Sequence, residues 1–276
     1  MSHTGKKILY YVVGVLITAL FLIPFLWMIF LSFKDNYGIF SAPFSLPKTW
    51  DLSLYVDTWK NATIGRLFVN SLKIAVSSAA VSMFLIYMSS YAIARLVMKG
   101  RKFNNFVYYF FISGMAIPVF AQLMTIYKLT FKIGSVIPVF AIGQVWAMFF
   151  PYIALQIAFL TLVLVGGLRG VPAALEEAAL IDGCNLFQMM FQIVLPTIKP
   201  VFMTALILNF LGIWNEYPVA SILLTAQRNF TIPLATVLFK VNLTTDYGAT
   251  LRSAVLIMLP QIAFYLVFQR YIVEGM

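Results

Sequence analysis

Two short polar stretches stand out beside the long apolar spans of this chain. The first is Glu177-Ala178-Ala179, followed by Asp182-Gly183 and then by Ile193, Leu195 and Pro196. The second is Trp214-Asn215-Glu216-Tyr217. An acidic side chain at the centre of a membrane helix costs about 2.5–3.5 kcal/mol on insertion scales. Glu216 is therefore expected to face a cavity or a partner helix. With Asn215 it offers hydrogen bonds to a hydroxyl-rich solute, and Trp214 or Tyr217 offers a ring on which the C–H face of a sugar can stack. The same two residues could instead pair across helices and hold a bundle together. Gln122 and Gln144 are further polar positions within apolar runs, with Gln122 a candidate for the same pathway.

Several chemistries are excluded at once. Cys184 is the only cysteine, so an intrachain disulfide and a cysteine-cluster metal site are impossible; His3, the only histidine, rules out a multi-histidine site and lies in the polar N-terminus ahead of the first span, away from any partner for a catalytic triad. A membrane-embedded glycosyl or lipid transferase would need acids converging at one membrane face. Its candidates Asp182, Glu216 and Asp246 fall in three different regions, which leaves the transferase an alternative less favoured than transport rather than one of the excluded chemistries. The net charge of +10 is scattered over loops and span ends, unlike the one-faced footprint of a nucleic-acid binder.

The elements that position these residues follow from composition. With 62% hydrophobic and 10% charged residues, against about a quarter charged in soluble domains, the chain belongs in lipid. Six apolar runs approach or exceed the roughly 20 residues needed to cross a bilayer core: 8–31, 67–96, 106–127, 136–165, 201–224 and 254–268. Helices are expected because backbone groups in lipid must pair within the segment, and the runs lack the alternation of a membrane barrel. The first run is too long for a signal-peptide core and no small-residue cleavage site follows it, so it is expected to remain as a span. Pro118 and Pro260 should kink their helices. Ser77, Ser78, Ser82, Ser89 and Ser90 should permit close helix approach. The expected fold is an all-α integral membrane protein of six transmembrane helices in a single domain over 1–276.

Lys6 and Lys7 precede the first span, and Arg95, Lys99, Arg101 and Lys102 crowd the short turn after the second. Basic residues in short loops favour the cytoplasmic side. The opposite side also carries basic residues, but its long first segment dilutes them with Asp35, Asp51 and Asp57. Both termini are thus expected in the cytoplasm, and so is the Glu177 segment, which four spans precede.

That segment, about 166–200, reads as a helix–turn–helix. Pro172 suits a first helical turn, and residues 173–179 are strong helix formers. Glu176 and Glu177 lie near the positive end of the dipole. Gly183 can close the helix in the left-handed conformation. Asn185 can cap a second helix, and Pro196 and Pro200 are expected to break it before the fifth span.

The combined spacing of Glu177, Ala178, Ala179, Asp182, Gly183, Ile193, Leu195, Pro196 and Pro200 resembles the EAA loop of permease subunits in bacterial ABC importers. Cys184 stands where that family usually has a small residue. The similarity extends over nearly the whole chain and points to the carbohydrate-uptake branch, most like the shorter of the two permeases in maltose-type systems. Asn70-Ser71-Leu72, Tyr91-Ala92-Ile93-Ala94-Arg95, Pro118, Trp214-Asn215-Glu216-Tyr217 and Gln269 to Gly275 carry it further. The resemblance also implies a small-residue tail with Gly-Lys beyond Gly275, where this sequence stops at Met276.

The resemblance implies a permease domain in the bacterial inner or plasma membrane, multi-pass and surrounded by membrane lipid, with the coupling loop docking two cytoplasmic ATPase subunits. It implies a homologous second permease, an extracellular solute-binding protein and a di- or oligosaccharide cargo moved by alternating access. No cofactor is expected in this chain; ATP and Mg would sit on the ATPases, so the chain itself is not an enzyme. A stand-alone channel or secondary transporter is the other transport reading, although no internal repeat of the kind common in carriers is seen.

Overall fold

The computed structural model describes residues 3–96, 100–241 and 244–274, and these are almost wholly helical. Nine helices matter to the argument: α1 His3–Ser32, α2 Ile64–Arg95, α3 Arg101–Ser113, α4 Val119–Val136, α5 Phe149–Arg169, α6 Ala173–Ile181, α7 Lys199–Trp214, α8 Pro218–Leu223 and α9 Tyr247–Glu274. Five stretches are long and apolar enough to cross a bilayer alone: Leu9–Ser32, Ile64–Arg95, Val145–Arg169, Lys199–Leu223 and Tyr247–Val267. Taking the bent pair Arg101–Ala116 and Val119–Val136 as one span gives six crossings.

Three apolar runs are broken where hydropathy alone reads them as continuous. The third is not kinked at Pro118 but turns there by 102°. Proline forces the residue before it off the helical region, and Ile117 accordingly takes φ −93° and ψ 112°. The fourth does not begin a helix at residue 136, which instead ends α4. Residues 137–148 pass through short tight turns around Pro138 and Gly143, and α5 starts at Phe149. Gly143 holds φ +90°, and its N–H donates to the Leu223 carbonyl at 2.7 Å. Gln144 therefore lies in a turn rather than inside a span. The fifth run stops at Trp214 and resumes at Pro218, so Glu216 sits in a break between helices.

The described residues group into two compact units. One is built from Met1–Gly65 and Ala235–Pro260. Its interior is organised around Arg252, 8% exposed, whose Nε donates to Thr58 Oγ1 at 2.9 Å and Nη1 to the Ser32 carbonyl at 3.0 Å. Phe33 packs against Trp50 and Tyr55 at 5.1 and 5.3 Å. At its surface, hydrogen bonds from the side chain and then the backbone N–H of Ser53 hold the Asp51 carboxyl below the usual carboxylate value. Within α1, none of the most apolar window is buried against the chain.

The other unit comprises Arg66–Leu234 and Gln261–Met276. In α2, residues 71, 74, 75, 78, 79, 82, 83, 86, 87, 90 and 91 are buried, a stripe at the helical period. Leu160, Leu164 and Leu168 of α5 share a core with the lower part of that stripe. A Cβ at Gly167 would lie 2.8 Å from Val201, so glycine there lets α5 and α7 approach closely. Fully buried Asn209 of α7 donates to Ser82 Oγ at 2.7 Å, a polar clasp between α2 and α7.

Candidate functional site

Between α5 and α7 the chain forms a stiff elbow. Pro172, in extended conformation with ψ 132°, launches α6. The helix closes on Gly183, whose φ is +79°. Gly183 N–H donates to the Leu180 carbonyl at 3.1 Å and Cys184 N–H to that of Ala179 at 3.0 Å, the paired bonds of a Schellman closure. Asn185 then opens the second arm with a capping box. Its Oδ1 accepts from Gln188 N–H at 3.0 Å, and Gln188 Oε1 accepts from Asn185 N–H at 2.9 Å. The arm runs over Leu186–Thr197 and widens to a π-helix at Met189–Val194. That widening lies directly ahead of Pro196, whose ring in a regular α-helix would meet the Gln192 carbonyl. Contrary to the sequence expectation, Pro196 does not break the arm. The break comes at Ile198, and Pro200 sits in the first turn of α7.

One side of the elbow is tied to the bundle. Ala179 is 3% exposed and shares a core with Met83, Tyr87 and Tyr91, while Ile193 and Leu195 pack against it half-buried. Tyr87, Tyr91 and Arg95 stand four residues apart on one face of α2 and grip the elbow at successive levels. Tyr87 OH donates to the Met190 carbonyl at 2.6 Å, and Tyr91 OH donates to Glu176 Oε1 at 3.1 Å. Arg95 donates to the Val171 carbonyl, and its Nε lies 3.4 Å from Glu176 Oε1. The basic turn after α2 and the elbow therefore occupy the same end of this unit. Glu176, which the sequence marks only as a charge near the start of the helix, is the inward anchor; the four-residue spacing of Tyr87, Tyr91 and Arg95 was the one further advance signal.

The other side is free. Glu177, Ala178, Asp182 and Pro196 are exposed, and Glu177 makes no hydrogen bond or ion pair among the described residues. Leu180 and Phe187 are exposed, and Ile181 reaches 86%. Charge beside contiguous apolar side chains is the makeup of a contact surface, to protein or to membrane, rather than of a solvated face.

A cavity of about 420 Å³ lies where the α3–α4 bend meets the break between α7 and α8. Gln122, Gln156 and Glu216 supply its polar wall, and Ile117, Phe159 and Pro218 are among its apolar ones. Glu216 Oε1 accepts from Val219 N–H at 2.7 Å, and Oε2 accepts from Ala220 N–H and Tyr152 OH, both at 3.0 Å. The carboxylate thus caps α8 while lining the cavity, with the helix dipole favouring its charge. Gln122 Nε2 donates to the Ile117 carbonyl at 3.0 Å, satisfying an acceptor freed by the bend. Gln156 has no hydrogen-bond partner among the described residues, so its whole amide is available.

The structure brings Gln122 and Glu216 together, and sequence reasoning missed Gln156. Trp214, Asn215 and Tyr217 do not line the cavity. Trp214 is buried between Phe68 and Phe210, at 5.5 and 5.6 Å. Asn215 Oδ1 accepts from Gln261, its Nδ2 donates to the Leu211 carbonyl, and Tyr217 is exposed.

Discontinuous helices that meet at a polar cavity define a membrane transport protein in which irregular backbone is tolerated where it lines a cavity. Residues 86–276 match the family described as binding-protein-dependent transport system inner membrane component, and the chain belongs to that family. It is 31% identical over 260 residues to a diacetylchitobiose uptake system permease of Streptomyces coelicolor, covering 94% of this chain and 83% of that one. It is 27% identical to a trehalose/maltose transport system permease of Thermococcus litoralis, covering 98% and 95%. Its fold matches a chain in the crystal structure of a bacterial ABC transporter involved in the import of the acidic polysaccharide alginate, with TM-score 0.73, 22% identity and 98% coverage of both chains.

Proposed function

We infer that this chain is a permease subunit of an ABC importer for a carbohydrate, a transport component rather than an enzyme. Membership of the binding-protein-dependent family and relatives named for sugar uptake support that reading. The observation that carries the mechanism is the two-sided elbow, anchored inward through Glu176 and open outward at Glu177, Leu180 and Ile181. The elbow docks on a cytoplasmic ATPase, with Glu177 meeting a basic group and the apolar residues filling a groove. ATP and Mg reside on those ATPases, and a solute-binding protein delivers cargo from the other side.

Movement at the elbow passes to α2 through Tyr87, Tyr91 and Arg95, and directly into α7. The 16 residues of α7 carry displacement over about 24 Å at 1.5 Å per residue, ending beside Glu216 at the cavity. Closing or opening the α3–α4 bend against α8 alternates access to Gln122 and Gln156. The chemistry of two amides, one carboxylate and an apolar wall suits a di- or oligosaccharide. A homologous second permease completes the pathway and covers the otherwise unburied α1. A cytoplasmic side for the termini and elbow is supported by the basic residues near Lys7 and at Arg95, Arg101 and Lys102.

The test is co-purification of ATPase subunits with the membrane-assembled chain, alongside solute uptake. The Glu177→Arg/Ile181→Asp double variant is expected to insert normally but lose both. Full ATPase retention and uptake in that variant would overturn the docking assignment.

A further inference from the structure

A second cavity, about 390 Å³, opens where α2 ends and α3 begins. Arg95, Arg101, Arg169, Asn104 and Asn105 line it, with no carboxylate among the described lining residues. Among these arginines Arg95 pairs with Glu176. Arg101 makes no hydrogen bond or ion pair among the described residues, and Arg169 makes none, its guanidinium resting 4.7 Å over the Tyr108 ring. Asn104, 7% exposed, donates to the carbonyls of Ala92, Ile93 and Leu96. It thereby satisfies acceptors at the negative end of α2 and stiffens that wall, while the positive end of the α3 dipole begins at Arg101.

From this basic mouth, Phe103, Phe106 and Phe110 follow at three- and four-residue intervals on one exposed face of α3. A polycationic recess continuous with an exposed aromatic stripe is amphipathic on the scale of a lipid. Basic pockets between membrane helices are suited to acidic headgroups.

We propose that this cavity is a binding site for an anionic glycerophospholipid. Arg101 and Arg169 hold the phosphodiester, Asn105 reaches the headgroup, and the acyl chains lie along Phe103, Phe106 and Phe110. A free phosphate would engage the arginines but leave the aromatic stripe unused. The site is separate from the solute cavity and from the exposed side of the elbow. It adjoins the Arg95–Glu176 pair, so an occupied site would brace the elbow's inward anchor.

Native mass spectrometry of the delipidated complex, titrated with phosphatidylglycerol, tests this. The arms are wild type, Arg101→Gln/Arg169→Gln, Asn105→Asp and a Lys128→Gln/Lys132→Gln control. Wild type and control are expected to retain one phosphatidylglycerol more tightly than phosphatidylcholine of the same chains, unaffected by millimolar inorganic phosphate. The double arginine variant should bind it roughly tenfold or more weakly, given the usual worth of two surface cations. Asn105→Asp, a single change at an exposed position, should weaken it in the same direction without disturbing assembly. Equal binding by wild type and both cavity variants, equal affinity for phosphatidylcholine, or displacement by inorganic phosphate would each overturn the proposal.

Discussion

Gly183 decides the shape of the elbow through its backbone alone. A Cβ built there would have no neighbour within 4 Å, so a substitution meets no clash within the chain. Its cost is the left-handed conformation, about 1–2 kcal/mol for an ordinary L-residue and less for asparagine. Uptake normalised to membrane level is therefore expected to fall in the order Gly183→Asn, Gly183→Ala, Gly183→Val. Wild-type uptake by Gly183→Val would show that the turn is not needed in this form. This position was legible in the sequence, as was the cap at Asn185, because each depends on neighbours a few residues away. The opposite roles of the adjacent Glu176 and Glu177 were not legible, because which one faces inward depends on how α6 is rotated against α2.

Elements are joined here by few but well-placed polar contacts. The Arg95–Glu176 pair has side chains 12% and 15% exposed, so breaking it should cost less than the about 3–5 kcal/mol of a fully buried pair. A double-mutant cycle on Arg95→Gln and Glu176→Gln is expected to give a coupling of about 0.5–3 kcal/mol. Either single variant should speed hydrogen exchange across Met189–Val194 and allow ATP hydrolysis without proportionate uptake. Unchanged exchange in that segment would show that the pair does not brace it. The π-helix there could not be anticipated from propensity. It relieves a local conflict at Pro196 inside an arm that packing keeps helical.

For the molecule as a whole, the proposed solute path draws its polar groups from three separated regions of the chain. Gln122, Gln156 and Glu216 converge only because α3 and α4 turn by 102° and α7 stops short of α8. Gln156→Leu removes an amide that serves no internal bond, so the fold should tolerate it. Loss of one hydrogen bond to the solute, about 0.5–1.5 kcal/mol, should raise the concentration for half-maximal uptake by roughly twofold to tenfold. An unchanged half-saturation point would remove Gln156 from the solute path. Glu216 is less useful as a probe, since its carboxylate also caps α8.

The count of apolar crossings, the caps and turn at 183–188, and the spacing that marks the family were all available from the linear chain. Each rests on hydropathy summed over a window or on backbone chemistry within a few residues. Tertiary structure alone decided where the apolar runs break, because hydropathy continues across Ile117-Pro118 and much of 137–148, and the polar pair Asn215-Glu216 does not by itself say that the helix stops, whereas the backbone breaks at all three. It also decided that Tyr91 meets a glutamate 85 residues away and that Gln156 and Glu216 line one cavity. Helix rotation and helix bending set such meetings, and both are settled by packing between segments that the chain keeps far apart.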